Sequence, residues 1–311
     1  MSSIATLTLN PTIDVAYEVD KVFHTHKMRT RTEYYEPGGG GINVARVFGR
    51  LGGTARNYYF SGGATGHALD GLLDEHGLIR SQIPIKGHTR IATAVLNREN
   101  GKEYRLVPPG PFVEPREWQQ CLDQIAEVRC KYMVLSGSLP PGVPEDFYGR
   151  VGTIMAERDI PVVLDSSGPG LRGGLAQGGV FLVKPSVGEL RQLTGGDLRD
   201  TDAISRAALS LVEAGQARYV AVTMGHEGAL LASASGHLLL PAIPIDAKSA
   251  VGAGDSFLAA MVFAISQGWD IADAFRFGIA SGTAAVMSPG HDLARPDDIQ
   301  RLYESIRTEQ P

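Results

Sequence analysis

Cysteine is nearly absent. Cys121 and Cys130 are the only two in 311 residues, too few for a disulfide framework and without the spacing of a metal site, so both are expected to be reduced thiols. Long apolar runs are missing as well. The longest, residues 257–265, has nine residues, where a membrane span needs about twenty. No block of basic residues exists: 29 Lys and Arg stand against 34 Asp and Glu, a formal charge of −5, which argues against bulk binding to nucleic acid or to a membrane surface. The first residues, Met1 to Ile4, carry no basic n-region, and a cytoplasmic location is the expectation. The eight histidines show no H-x-x-x-H spacing, and no G-x-x-x-x-G-K-S/T string is present, which excludes the usual phosphate-cradling loop of P-loop nucleotide sites. There is no fixed-period repeat and no low-complexity linker.

What the chain has in excess is glycine, 38 of 311, about 12% against a usual level of about 7%. Its 43% hydrophobic and 20% charged residues suit a globular α/β protein of one large or two small domains. Short β-rich runs at 4–9, 56–60, 132–135, 161–164, 180–183 and 219–223 alternate with helical patterns at 43–51, 114–127, 145–157 and 203–214. From Asp255 onward the pattern is helical, at 256–267, 271–287 and 296–306. That rhythm predicts a layered fold with a largely parallel sheet. Two stretches, roughly 16–36 and 83–107, read as strands without helices between them. Within the second, Ile91, Thr93 and Val95 on one face and Ala92, Ala94 and Leu96 on the other are largely apolar. A strand apolar on both faces needs cover on both, so these stretches predict a small β lid, and pairing of two lids about a two-fold axis is the expected cover.

Three clusters carry chemistry. Gly252, Ala253 and Gly254 precede Asp255 and a long apolar helix, which places free backbone N–H groups at a helix N-terminus, an arrangement that binds anions. Asp255 beside that position is either a general base toward a hydroxyl attacking a phosphoryl group or an ordinary complement to the helix dipole; the segment alone does not choose. Four glycines, 38–41, then open a helix whose first turn holds Asn43. They suit a backbone that must approach a ligand closely, although a flexible loop has the same composition. Asp14 follows the first predicted strand, at the sheet edge where open α/β sheets bind ligands, and is either an acceptor for paired sugar hydroxyls or a turn residue. A G-x-G-x-x-G string at 168–173 follows a strand, but Gly173, Gly174, Gly178 and Gly179 are expected to break the helix it would open, which leaves no N-terminus for a dinucleotide.

In their order along the chain, residues 6–11, 36–46, 136–142, 165–168, 183–185 and 251–256 together resemble the PfkB, ribokinase-like family of carbohydrate kinases, and in particular its phosphofructokinase and tagatose-6-phosphate kinase branch. The resemblance implies one domain over 1–311: a ribokinase-like three-layer α/β/α fold with a β-sheet lid, commonly dimeric through the lids. It implies ATP and Mg2+, and makes Asp255 similar to the family's catalytic base and Gly252, Ala253 and Gly254 to its anion hole. Asp14, Gly39, Gly40 and Asn43 look like the sugar contacts, and Lys27, Arg90, Arg105 and Ser138 match positions that meet a phosphosugar. Lys184, Ser186, Glu189, Thr223, Gly225 and Gly228 look like the ATP side, with Glu189 ordering magnesium through water and Asp165 a second magnesium-side residue. Lys27, Arg29, Arg90 and Arg105 concentrate positive charge on the lid of an acidic protein. Two positions depart from the family: Ser186 where Asn is usual, and Ser249 and Ala250 where Asp and Thr are common. K+ activation would run through carbonyls near Ser249, Val251 and Ala285. The expected activity is ATP-dependent phosphorylation of a ketohexose phosphate, fructose 6-phosphate first, with fructose 1-phosphate and tagatose 6-phosphate as alternative acceptors. A nucleotide-binding regulator without catalysis is the alternative from another class, and Ser186 is what lends it weight.

Overall fold

The computed structural model describes residues 2–246, 251–288 and 292–308. In chain order, β1 (Ser2–Thr8), β2 (Thr12–Val19) and β3 (Thr32–Gly38) lead into α1 (Gly40–Arg50), β4 (Ala55–Ser61), α2 (Gly63–Glu75) and β5 (Ile79–Pro84). Next come β6 (Arg90–Asn97), β7 (Lys102–Leu106), α3 (Pro115–Ala126), β8 (Cys130–Ser136), α4 (Phe147–Ala156), β9 (Val162–Asp165) and α5 (Gly168–Ala176). Then follow β10 (Val180–Val183), α6 (Val187–Thr194), α7 (Thr201–Glu213), β11 (Ala217–Thr223), β12 (Ala229–Ser233) and β13 (Gly236–Leu240). The helices α8 (Ala253–Ser266), α9 (Ile271–Met287) and α10 (Pro296–Thr308) finish the described chain.

The large sheet runs β13-β12-β11-β10-β9-β8-β1-β4-β5. From β11 to β5 every pairing is parallel, and only the β12–β13 end is antiparallel. Strands covered on both faces must be apolar at consecutive positions, and β8 shows how: Met133 and Leu135 pack with α3 and α4, whereas Val134 packs on the opposite side with α1 and α8. Helices α3–α7 thus cover one face and α1 with α8–α10 the other, in three layers. A second sheet, β3-β2-β6-β7, is fastened to this body where Ile13 and Val15 of β2 pack with Ile42, Tyr59, Leu69 and Leu73.

The fold matches the predicted class, with differences at particular elements. Ile83 does not open the second sheet: β5 pairs with β4 in the large one, Phe60 opposite Ile83, and the small sheet starts at Thr12 and again at Arg90. The break expected at Gly173 and Gly174 is absent, since α5 runs through both. A Cβ at Gly173 would stand 1.9 Å from the Glu145 carbonyl oxygen, and one at Gly174 would stand 2.7 Å from the Leu164 side chain. These glycines admit α4 and β9 at close range, which in this helix outweighs their low helix propensity. Helix α8 begins at Ala253, three residues before the expected start at Ser256.

Candidate active site

The site lies along the C-terminal ends of β1, β8, β9, β10 and β11. Helix α8 supplies its anion-binding corner. Its cap, Gly252, is left-handed at φ 71°, and a Cβ there would meet Leu293 at 2.4 Å. The first helical bond is donated by the Ser256 amide to the Gly252 carbonyl, 2.8 Å, so the amides of Ala253, Gly254 and Asp255 are available at the positive end of the helix.

Lys184, just past β10, reaches this corner. A Cβ on Gly254 would be 3.2 Å from its Nζ. The lysine side chain is only 7% exposed and pairs with Asp165 at the end of β9, Nζ to Oδ1 3.2 Å. Burial disfavours the Lys184 ammonium, but the negative charges of Asp165, Asp255 and Glu189 outweigh it and its pKa is raised. Burial pushes the Asp165 carboxyl up to about 7; Lys184 opposes that push, while Asp255 and Glu189 add to it. Asp255 is also raised, by burial first, with Asn43 and Lys184 holding it down. Its Oδ2 accepts a hydrogen bond from Asn43 Nδ2 at 2.9 Å. Three carboxylates around one ammonium form a place where the local charge favours an arriving cation.

The residues anticipated at a sugar gather where β2, β3 and the start of α1 meet β6, β7 and the end of β8. Gly38 lies so close to Asp14 that a Cβ would stand 2.2 Å from its Oδ2, and a Cβ on Gly40 would stand 2.2 Å from Ser136 Oγ. Gly39 caps α1 at φ 117°, a conformation that L side chains rarely adopt. Asp14 and Arg105 line one narrow crevice with Ala92 and Ala94. Asn10 Nδ2 donates to Ser138 Oγ at 3.2 Å and to the Pro109 carbonyl at 2.9 Å.

Residues 6–298 match the model of the pfkB family of carbohydrate kinases. The chain belongs to that family. It is 42% identical over 303 residues to the ATP-dependent 6-phosphofructokinase isozyme 2 of Mycobacterium tuberculosis, covering 97% of this chain and 89% of that one. It is 36% identical to the isozyme of the same name from Escherichia coli, with 97% and 98% covered. Solved structures of the Escherichia coli phosphofructokinase-2 superpose on 99% of this chain at 35% identity and cover all of theirs. The complex with potassium has a TM-score of 0.94, and the complex with fructose-6-phosphate and a tetrameric inhibited form each have 0.92.

Within this carbohydrate kinase several of the anticipated residues have protein partners of their own. Asn43, anticipated at the sugar, donates its amide to Asp255. Arg90 gives both terminal nitrogens to backbone carbonyls, Nη1 to Pro108 at 2.9 Å and Nη2 to Asn10 at 2.8 Å. Burial lowers its pKa against the pull of Asp14. Arg105 is half-exposed, its Nε 3.8 Å from a Glu103 carboxylate oxygen. Lys27 and Arg29 stand exposed on the connection from β2 to β3; among the described residues neither has a hydrogen bond or ion pair that draws it to the cluster.

Ser186 has a local explanation. Its hydroxyl caps α6 by accepting the Glu189 amide at 3.3 Å, and Glu189 Oε2 accepts the Ser186 amide and hydroxyl, both at 2.8 Å. This closed ring is a capping box. Thr223 lies beside it, its amide donating to Pro185 O at 3.0 Å, and Gly225 and Gly228 bound the turn that follows. Of the carbonyls named for potassium, Ser249 lies outside the described residues. Among the described residues no three acidic, His or Cys side chains converge as ligands of one metal.

Proposed function

We propose that this carbohydrate kinase transfers the γ-phosphoryl group of ATP to the 1-hydroxyl of fructose 6-phosphate, giving fructose 1,6-bisphosphate. The observation that carries the proposal is the Asn43–Asp255 pair. It joins the glycine run of α1 to the N-terminus of α8, which supports reading Asp255 as a base between a sugar-side wall and a phosphate-side wall. The acceptor assignment draws on the names of the relatives at 42% and 36% identity.

In this reading Asp255 takes the proton as the hydroxyl attacks in line. The first-turn amides of α8 and the Lys184 ammonium stabilise the charge that spreads over the transferring group. Asp14 accepts sugar hydroxyls, the close backbone at Gly39 and Gly40 shapes the sugar wall, and Ser138, Arg90 and Arg105 form the acceptor-phosphate end. Lys184 with the turn from Thr223 to Gly228 forms the nucleotide side. Magnesium would neutralise charge on the donor phosphates, and Asp165 and Glu189 are the residues suited to hold it. Two carboxylates without a full ligand cage fit an ion that keeps most of its waters. Potassium is a further proposed activator. Ser186 as a helix cap removes the one feature that favoured a non-catalytic regulator.

We further propose a two-fold dimer through the small sheets and a cytoplasmic site of action; no helix of the described residues is long and apolar enough to cross a membrane. The decisive assay compares kcat/KM for fructose 6-phosphate, fructose 1-phosphate and tagatose 6-phosphate with ATP and Mg2+. A preference for either of the last two would overturn the acceptor assignment.

A further inference from the structure

The glycine run has no side chains with which to hold itself, and α1 has no side-chain cap at its N-terminus. One long side chain reaches back to it. Arg46, in the second turn of α1, has a side chain only 4% exposed. Its Nη2 pairs with Glu36 Oε2 and its Nη1 donates to the Pro37 carbonyl at 3.3 Å. Glu36 and Pro37 are the last residues of β3 before Gly38. His76, which caps the end of α2, puts Nε2 3.1 Å from the same Glu36 oxygen. Strand β3, α1 and α2 therefore meet at a single carboxylate.

An ion pair whose guanidinium is buried is weak evidence of a stabilising role, because desolvation offsets much of its attraction. Burial pulls the Arg46 guanidinium below its ordinary pKa, with Glu36 opposing that pull. Arg46 Nε is buried with no hydrogen-bond partner among the described residues. The side chain forgoes that bond while its two terminal nitrogens fix two consecutive residues. What those residues set is the path of Gly38 beside Asp14 and, through α1, the place of Asn43 against Asp255.

We propose that Arg46 is a positioning residue for the sugar side: by gripping Glu36 and the Pro37 carbonyl it fixes the glycine run at the spacing that the acceptor sugar needs. The proposal rests on reading that run as the sugar wall of the kinase. Arg46 itself touches no substrate. The nucleotide side, built from β9–β11 and α6, shares no bond with this cluster, which makes the two halves separable in an experiment.

The test is steady-state kinetics of Arg46→Met and Arg46→Lys, alongside wild type, with whichever phosphosugar the wild type turns over fastest. Absence of turnover with fructose 6-phosphate in the wild type counts against the acceptor assignment; the ratio of variant to wild type alone judges Arg46. In Arg46→Met the phosphosugar KM is expected to rise about ten- to a hundred-fold, as displacement of a positioning element does, while the ATP KM stays within about two-fold. Arg46→Lys keeps a charge opposite Glu36 and gives up the fork that also reaches Pro37. It should fold even if the methionine variant does not, with a several-fold rise confined to the phosphosugar KM. Equal rises in both KM values, or a lowered Tm with the phosphosugar KM unmoved in the lysine variant, would show a merely structural residue and overturn the proposal.

Discussion

Asp255 and Asp165 lie near the Lys184 ammonium, and their burial sets the pH behaviour to expect. Asp255 has a folded pKa above the usual carboxylate range because burial outweighs its bonds to Asn43 and Lys184. A base raised in this way is protonated, and idle, at acid pH, and activity should climb as pH passes through that pKa. Asn43→Ala removes a hydrogen bond that favours the charged form, so the acid limb of kcat should move to higher pH. A profile from about pH 5 to 9 measures it, and an unmoved or downward-shifted limb would contradict the electrostatic role of Asn43. Asp255→Asn keeps the shape and removes the base: kcat should fall about 10²–10⁴-fold with ATP affinity retained, and near wild-type turnover would remove Asp255 from the mechanism. Asp255 is legible in the sequence because it follows a glycine signal at the start of a helix, and Asp14 because it comes soon after the first strand, although the structure puts it inside β2. The Asn43–Asp255 bond is not, since it joins residues 212 positions apart. Nor is the grip of Arg46, an ordinary Arg on a helix until the fold buries it.

At the scale of elements, prediction succeeded where hydrophobic period was strong and missed where local signals were weak or unread. Helix α9 and strand β10 have the expected bounds, Ile271–Met287 and Val180–Val183. Helix α2 carries three glycines and little amphipathic contrast, and only packing under β2, through Leu69 and Leu73, makes it a helix. The β12–β13 hairpin has an apolar run, Ala229 to Ala232, that alternation cannot separate from buried helix. Helix α6 carries its own start signal: Ser186 with Glu189 three residues on is a capping-box signature. That assignment is testable. Ser186→Ala should lower stability by about 0.5–2 kcal/mol, the usual effect of losing such a cap, and leave the ATP KM within about three-fold. A large rise in ATP KM with no change in Tm would return Ser186 to the nucleotide side.

At the scale of the whole molecule, the small sheet has one face toward the site and one that the body covers only in part. Asp14 pairs with Ala92 and Ala94 with Arg105, so these share the crevice face. Thr93 pairs with Leu106 and Val95 with Tyr104, which puts Ile91, Val95, Tyr104 and Leu106 on the other. Beneath β2 that second face meets α1 and α2. At β6 and β7 it continues outward, with Ile91 and Tyr104 exposed and Leu106 65% exposed. An apolar face beside an edge strand is an aggregation hazard unless covered, and a second copy of the same sheet, turned about a two-fold axis, covers it with a self-complementary surface. In the dimer proposed above, Val95 and not Leu96 would be the strand residue turned toward the partner. The opposite face of the same strands carries Arg105, so loosening the pair should loosen the acceptor end with it. Leu106→Asp puts a charge on the outward face, at the end of the edge strand, and it is expected to shift sedimentation from dimer toward monomer at micromolar concentration. The phosphosugar KM should rise in parallel, with the ATP KM little changed. A wild type that sediments as a fully active monomer would dispose of the dimer, and a monomeric Leu106→Asp with an unaltered phosphosugar KM would separate assembly from the acceptor site.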